Sequence, residues 1–255
     1  MNRIIKFILL DIVKNKVVLL YTILLAAFSW SAFGLEDNST KGVLTLLNII
    51  LLTVPLVAIL FATIYIYNSA EFIELLLGQP IKRSKIWCAL FLSLCFSLLF
   101  AFLIGAGIPI LIYAPNDVGL MMLILGSFIT VIFVSIAFLS AIATRDKAKG
   151  IGISMMLWLY FALLFDGLIL FLTFQFSEYP IEKMMIGVSM LSPIDMARIM
   201  ILLKLDVSAM MGYTGAVFKE FFGTVLGTIV SIAILFLWMW IPFFWSLFKF
   251  KHKDL

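Results

Sequence analysis

"LTLLNIILLTVPLVAILFATIYIY", residues 44–67, carries no charged side chain. About 20 mainly apolar residues are enough for a helix to cross a bilayer, so this stretch reads as one complete span. Behind it stands "AEFIELLLGQPIKRSKIW", residues 70–87, a charged island broken at Gly78 and Pro80, and then a second apolar run from Trp87 to Tyr113. Two spans joined by a short charged loop predict a helical membrane bundle if the rest of the chain repeats the pattern.

It does. Val17–Gly34, Leu44–Tyr67, Trp87–Tyr113, Leu120–Ala143, Ile151–Phe176 and Phe222–Phe248 all have spanning length. The 255 residues are 64% hydrophobic and 13% charged, with a mean hydropathy of +1.20. That is more apolar surface than one soluble core could bury. The sequence therefore predicts an all-α integral membrane protein with a single domain over 1–255. Its parts are an interfacial helix at 1–16, six transmembrane helices at 17–34, 44–67, 87–113, 120–143, 151–176 and 222–248, a charged loop at 68–86, and a long external segment at 177–220. Asp11, Lys14, Asn15 and Lys16 interrupt the early apolar residues, so no cleavable signal is expected and residue 1 is read as mature.

Lys and Arg concentrate in alternate connections. Of the 18, 13 fall in residues 1–16, 68–86, 144–150 and the last few residues. The positive-inside bias then puts both termini and the island in the cytoplasm. The net charge of +4 follows from this asymmetry and suits anionic lipid headgroups; it is no nucleic-acid signal. At the start of the chain, Ile5, Ile8, Leu9 and Ile12 share one helical face with Arg3, Asp11 and Lys14 roughly opposite, and Phe7 and Leu10 as exceptions. This reads as a helix lying on the cytoplasmic leaflet, the alternative being a solvated extension of the first span.

Inside the spans, Pro55, Pro109 and Pro242 can each free a backbone carbonyl, which membrane helices tolerate where neighbours satisfy it. Gly223, Gly227 and Ser231 form a small-xxx-small ladder for close helix approach, within the bundle or between subunits. Cys88 and Cys95 share a face of the third span, where thiols act as small apolar groups, a soft-metal role being the alternative. The single histidine, His252, belongs to a basic, solvated tail. Asp166, in "LLFDGLIL", is the acid well inside a span. An uncompensated charge there costs at least about 2.5 kcal/mol, so it requires a partner, a water-filled cavity or a proton. Asn48 or a backbone carbonyl could hold it in a purely structural role.

Residues 177–220 are too apolar for a free loop. "SPIDMARIM" from Ser192 has a helix-start pattern, with Ser192 as cap, Pro193 at the first position and Asp195 three residues after the cap. Met196, Met200 and Leu203 fall on one side of that helix, while Asp195, Arg198 and Asp206 lie elsewhere. Seven of 13 methionines sit in the segment: Met184, Met185, Met190, Met196, Met200, Met210 and Met211. Thioethers bind Cu(I), but methionine is also an ordinary filler of irregular apolar contacts.

Several chemistries lack their motifs. There is no G-x-x-x-x-G-K-[ST] loop and no Gly-Lys pair, so ATP hydrolysis would belong to another chain. No C-x-x-C, histidine cluster or G-x-S-x-G element supports an enzyme. The sequence also lacks the series of intramembrane acids, arginines and histidines typical of proton-coupled carriers.

The island asks for a partner. "FIELLL" is an apolar helical stripe flanked by Glu71 and Glu74; Gly78 can end it, Pro80 fixes the exit, and Lys82, Arg83 and Lys85 anchor the next span. A plain solvated turn is the alternative. "EFIELLLGQPIKRSKIWCAL" resembles the first cytoplasmic loop of the ABC-2 type permeases, an acidic E-x-x-E-L-L-L helix followed by x-x-P and a basic or serine pair. The whole chain resembles that family's type V exporter-like layout. Within the family, "LLDIVKNKVVLL", "WLYFALLFDGLIL" and above all "LSPIDMARI" resemble the NosY-type permeases of the copper-processing system that matures nitrous-oxide reductase. "YIYNSA" stands where upstream charged and glycine positions are common in such coupling loops.

The resemblance implies a homodimer in the bacterial inner membrane, bound to two copies of a cytoplasmic ABC ATPase that carries ATP and Mg. Glu71, Phe72, Glu74, Leu75, Leu76 and Pro80 would form the ATPase-coupling element. Outside, Pro193, Asp195, Met196, Arg198 and Met200 would face a periplasmic copper-binding accessory protein and its copper chaperone. Copper would reside on those partners, with no cofactor or metal bound by this chain. The competing readings are a general ABC exporter of a lipid, peptide or drug, and an ATP-independent scaffold or secondary carrier.

Overall fold

The computed structural model describes residues 2–36, 39–176, 182–205 and 222–252, and every element among them is a helix. In chain order these are α1 (Asn2–Val13), α2 (Lys16–Gly34), α3 (Ser39–Asn68), α4 (Ala70–Leu77), α5 (Arg83–Phe102), a π-helical turn (Leu103–Gly107) running into α6 (Ile108–Tyr113), and α7 (Asp117–Ala143). Then come α8 (Lys147–Leu159), a second π-helical turn (Tyr160–Leu164), α9 (Phe165–Gln175), α10 (Glu182–Ser189), α11 (Pro193–Lys204) and α12 (Val225–His252). Six helical stretches are long and apolar enough to cross a membrane: α2, α3, α5 through α6, α7, α8 through α9, and α12. The chain is thus a multi-pass membrane protein.

Local chemistry sets the ends of these helices. Asn15, Asn116 and Asp146 each offer a side-chain oxygen to the first free amides of α2, α7 and α8. Because the spans alternate in direction, α3 ends, α5 starts, α7 ends, α8 starts and α12 ends at one end of the bundle, here called the basic end. Cross-links fix that register: Lys147 Nζ donates to Asn68 Oδ1 at 2.7 Å, and Trp87 Nε1 donates to Ser246 Oγ at 3.1 Å. The far end carries α10, α11 and the start of α7, where Lys204 lies 3.8 Å from Asp117.

α7 is the central helix, packed by α3, α12, α5 and α11. α2, α8–α9 and α12 turn large apolar side chains outward, among them Phe28, Phe171, Phe174, Trp240 and Trp245. In a bilayer such a surface needs no protein cover. α12 presents a narrow inward stripe of Gly227, Ser231, Leu235, Pro242, Ser246 and Phe250. Two members of the expected ladder therefore serve packing within the bundle, whereas Gly223 is exposed and precedes the helix. α2 meets the first π-helical turn so closely that a Cβ on Gly105 would stand 2.9 Å from the Thr22 carbonyl oxygen, which no rotamer change could relieve.

The first helix is seated on the bundle. Ile8 and Ile12 are buried against α5, the Ser93 hydroxyl donates to the Ile5 carbonyl at 3.3 Å, and the Tyr65 hydroxyl donates to Asp11 Oδ2 at 3.0 Å. Of the two apparent exceptions to its amphipathic pattern, Phe7 has a partner: its ring lies 5.8 Å from that of Phe72 in α4.

Candidate functional site

The island forms the short helix α4 at the basic end, packed on the end of α3 and the start of α5. Helical spacing divides it. Ile73 and Leu76, three residues apart, are buried and hold the helix down, and Phe72 is half-buried beside Phe7. Glu71 and Leu75 point away from the bundle, Leu75 with 73% of its surface exposed, Glu74 is exposed at the rim of a cavity, and Gly78, Gln79 and Pro80 continue the open face. Leu76, read from the sequence as part of the coupling surface, is instead an inward residue: at 7% exposure it lies with Ile73 on the face that holds α4 to the bundle.

Beneath α4 lies an aromatic cluster. Trp87 is almost fully buried, stacks on Phe250 at 4.2 Å and meets Phe138 edge-on at 4.8 Å, while Phe91 stacks on Phe243 at 4.0 Å. Trp87, in the first turns of α5, is thereby tied to the last span by ring packing and by its bond to Ser246. In the sequence Trp87 marks only the start of an apolar run, because its ring partners lie on other helices. Beside it, a cavity of about 310 Å³ is lined by Tyr67, Ile73, Glu74, Trp87 and Phe250, among others. The Tyr67 hydroxyl donates to the Ala141 carbonyl at 3.1 Å and shares a 2.7 Å hydrogen bond with Thr144 Oγ1, closing the end of α7. Gly150 leaves room for that phenol, since a Cβ there would collide with it. Deeper in, the Ser154 hydroxyl bonds to Thr63 at 2.8 Å and to Ser140 at 2.7 Å, joining α8 to α3 and α7. Nothing in the sequence pattern marked these hydroxyls as partners.

The second polar locus is at the far end, where two separately chosen motifs meet. Arg198 Nη1 donates to both carboxylate oxygens of Asp166, at 2.7 and 2.6 Å, and lies 3.5 Å from Asp195 Oδ1. Asp166 is the second residue of α9, directly after the second π-helical turn. A π-helical turn takes an extra residue and so advances the face of the following helix by about 100°. Asp166 stands about 28 Å along the fifth span from Lys147, towards the far end of the bundle. Its partner is Arg198, from 32 residues further along the chain, while Asn48, offered from the sequence, is an exposed residue of α3.

α11 begins as its sequence predicts: the Asp195 amide donates to Ser192 Oγ at 3.3 Å, and Pro193 occupies the first turn. Its orientation is the correction. Pro193, Asp195, Met196 and Met200, expected to face an external partner, are buried, and Arg198 turns to Asp166. α11 is inserted against α7, α12 and α3, so the methionine side of the helix is its core side. Met185 is likewise buried and Met184 exposed, while Met210 and Met211 lie outside the described residues.

Burial pushes the Asp195 carboxyl up to about 7, and the adjoining Asp166 carboxylate adds to the rise, against the opposing influence of the Ser192 hydroxyl and the Arg198 guanidinium. Asp195 Oδ2 and Arg198 Nε are buried without a hydrogen-bond partner. Cys88 and Cys95 are free thiols, and among the described residues no three His, Cys, Asp or Glu side chains gather as a metal site. The chain matches the family model for ABC-2 family transporter proteins over residues 17–255. No curated protein matches it.

Proposed function

This chain belongs to the ABC-2 family of transporter proteins, and from that premise we propose that it is a membrane-spanning permease subunit driven by a separate ATPase. The observation that carries the reading is the divided face of α4, with Ile73 and Leu76 fastening it to the bundle and Glu71, Glu74, Leu75 and Pro80 open to a partner. The basic end faces the cytoplasm, in keeping with the concentration of Lys and Arg there. Two copies of the chain pair in the bacterial inner membrane, and the ATPases close on ATP and move the α4 helices. Trp87, directly behind the loop, passes that movement to α12 through Phe250 and Ser246. Nucleotide and Mg belong to the ATPase, and this chain performs no hydrolysis.

The finer reading is that the permease serves periplasmic copper-site assembly of nitrous-oxide reductase, in the service of denitrification. Its support is the resemblance of "WLYFALLFDGLIL" and "LSPIDMARI" to the NosY-type permeases, together with the joining of those two passages by one ion pair, Asp166 to Arg198. Met196 and Met200 act in packing, so copper stays with the periplasmic accessory protein and its chaperone. The test is affinity purification of the chain from its native host in mild detergent, with mass spectrometry of what remains bound. An ATPase together with a periplasmic copper-binding protein supports both levels. An ATPase alone returns the chain to a general exporter of a lipid, peptide or drug, and recovery without any ATPase overturns the permease reading.

A further inference from the structure

We propose that Asp166, Asp195 and Arg198 form a proton-binding site that fastens α11 to the fifth span. The argument begins with satisfaction of polar groups. Asp166 receives two short hydrogen bonds from Arg198 Nη1, whereas Asp195, with a side chain only 5% exposed, receives one long contact at Oδ1 and none at Oδ2. A buried carboxylate oxygen without a donor is costly, and a second carboxylate beside it raises the cost. One guanidinium cannot neutralise two carboxylates. One proton eases both difficulties: taken from solvent, it forms an O–H bond on the Asp195 carboxyl, which discharges the buried group and turns it into a donor for the neighbouring Asp166 carboxylate. The cluster then holds one positive and one negative charge.

The groups acting on Asp195 are Asp166 from α9, Arg198 on its own helix and the Ser192 hydroxyl at the cap. From α3, α7, α12 and the second π-helical turn, also packed on α11, no charged group among the described residues adds to these. Its carboxyl titrates higher in the fold than its ordinary value of 3.8. This group's contribution to stability is therefore full below about pH 4, falls as the pH rises towards about 7 and stays at its minimum above that. When the proton leaves, Asp195 and Asp166 repel, and the contact weakened is the one that ties α11 to α9.

The full chain, reconstituted in lipid nanodiscs and titrated from about pH 5 to about pH 9 by infrared difference spectroscopy, tests this directly. The expected result is a protonated-carboxyl carbonyl band that disappears near neutral pH in the wild type and is missing in Asp195→Asn. If no carboxyl band titrates in the wild type, or if the same band persists in Asp195→Asn, the proposal is overturned. Should Asp195→Asn fail to accumulate, Asp166→Asn decides: with Asp166 neutral, Arg198 turns to Asp195 and the midpoint must fall, and an unmoved midpoint overturns the site. The readout involves no ATPase and no cargo, so its failure leaves the permease reading intact.

Discussion

The two ends of this bundle are held by different kinds of contact. At the basic end, Trp87, Phe91, Phe138, Phe243 and Phe250 interlock and the Trp87 indole bonds to Ser246, while the links that involve a charged group, Lys147 to Asn68 and Tyr65 to Asp11, lie at the exposed rim. At the far end, a short helix is tied to the fifth span by one partly exposed ion cluster. Close-packed rings have few alternative arrangements and carry a displacement as a body. An ion cluster depends on charge state and can be released at a single point. The lesson is one of position: the stiff contacts lie directly behind the helix that would receive an ATPase's push, and the releasable ones lie where that push would have to produce an opening.

Substitutions can break or sharpen this contrast. The largest effect is expected for Trp87→Ala, which removes a buried ring from between α5 and α12 and should cost about 3–5 kcal/mol in detergent unfolding. A loss under about 1 kcal/mol would mean that the basic end is not the rigid one. Arg198→Ala leaves two carboxylates facing each other. Because the pair is about one-third exposed, roughly 1–2 kcal/mol is expected, below the figure for a fully buried pair. If Arg198→Ala and Asp166→Asn destabilise additively in a double-mutant cycle, the cluster is not a coupled unit.

Gly150→Ala should displace the Tyr67 phenol from the end of α7 at about 1 kcal/mol, read as a lowered thermal midpoint, whereas Gly152→Ala, where a Cβ meets open space, should be neutral or slightly stabilising. The smallest stability change, within about 0.5 kcal/mol, is expected for Glu71→Lys with Glu74→Lys, since both face outward. That pair should nevertheless abolish recovery of the ATPase. Normal recovery would remove α4 as the docking element.

Much of the fold was legible because a bilayer imposes it. Helices that must satisfy their own backbone over about 30 Å leave long uncharged runs, and "LTLLNIILLTVPLVAILFATIYIY" is such a run. The start of α11 was equally open to reading, since Ser192 and Pro193 act within one turn of chain. Its facing was not. Met196 and Met200 on one side of a helix give its stripe, but the stripe suits an external partner as well as it suits α7. The same limit applied to the island, where Leu75 and Leu76 look alike in sequence but, about 100° apart on the helix, fall one on the open face and one on the inner face once Ile73 has chosen it.

By itself, then, the sequence determined that the chain is a six-span helical membrane protein, that the loop at 68–86 carries a short helical stripe, "FIELLL", outside the spans, and that Asp166 requires compensation. These follow from local rules: hydropathy over one span, periodicity over two turns and the cost of a charge in hydrocarbon. The tertiary structure alone decided that Arg198 is the compensating group, that Asp195 shares the site, and that Trp87 is a buried junction between α5 and α12. Each of those outcomes joins side chains from different helices, and the free energy that selects them arises only when the helices pack.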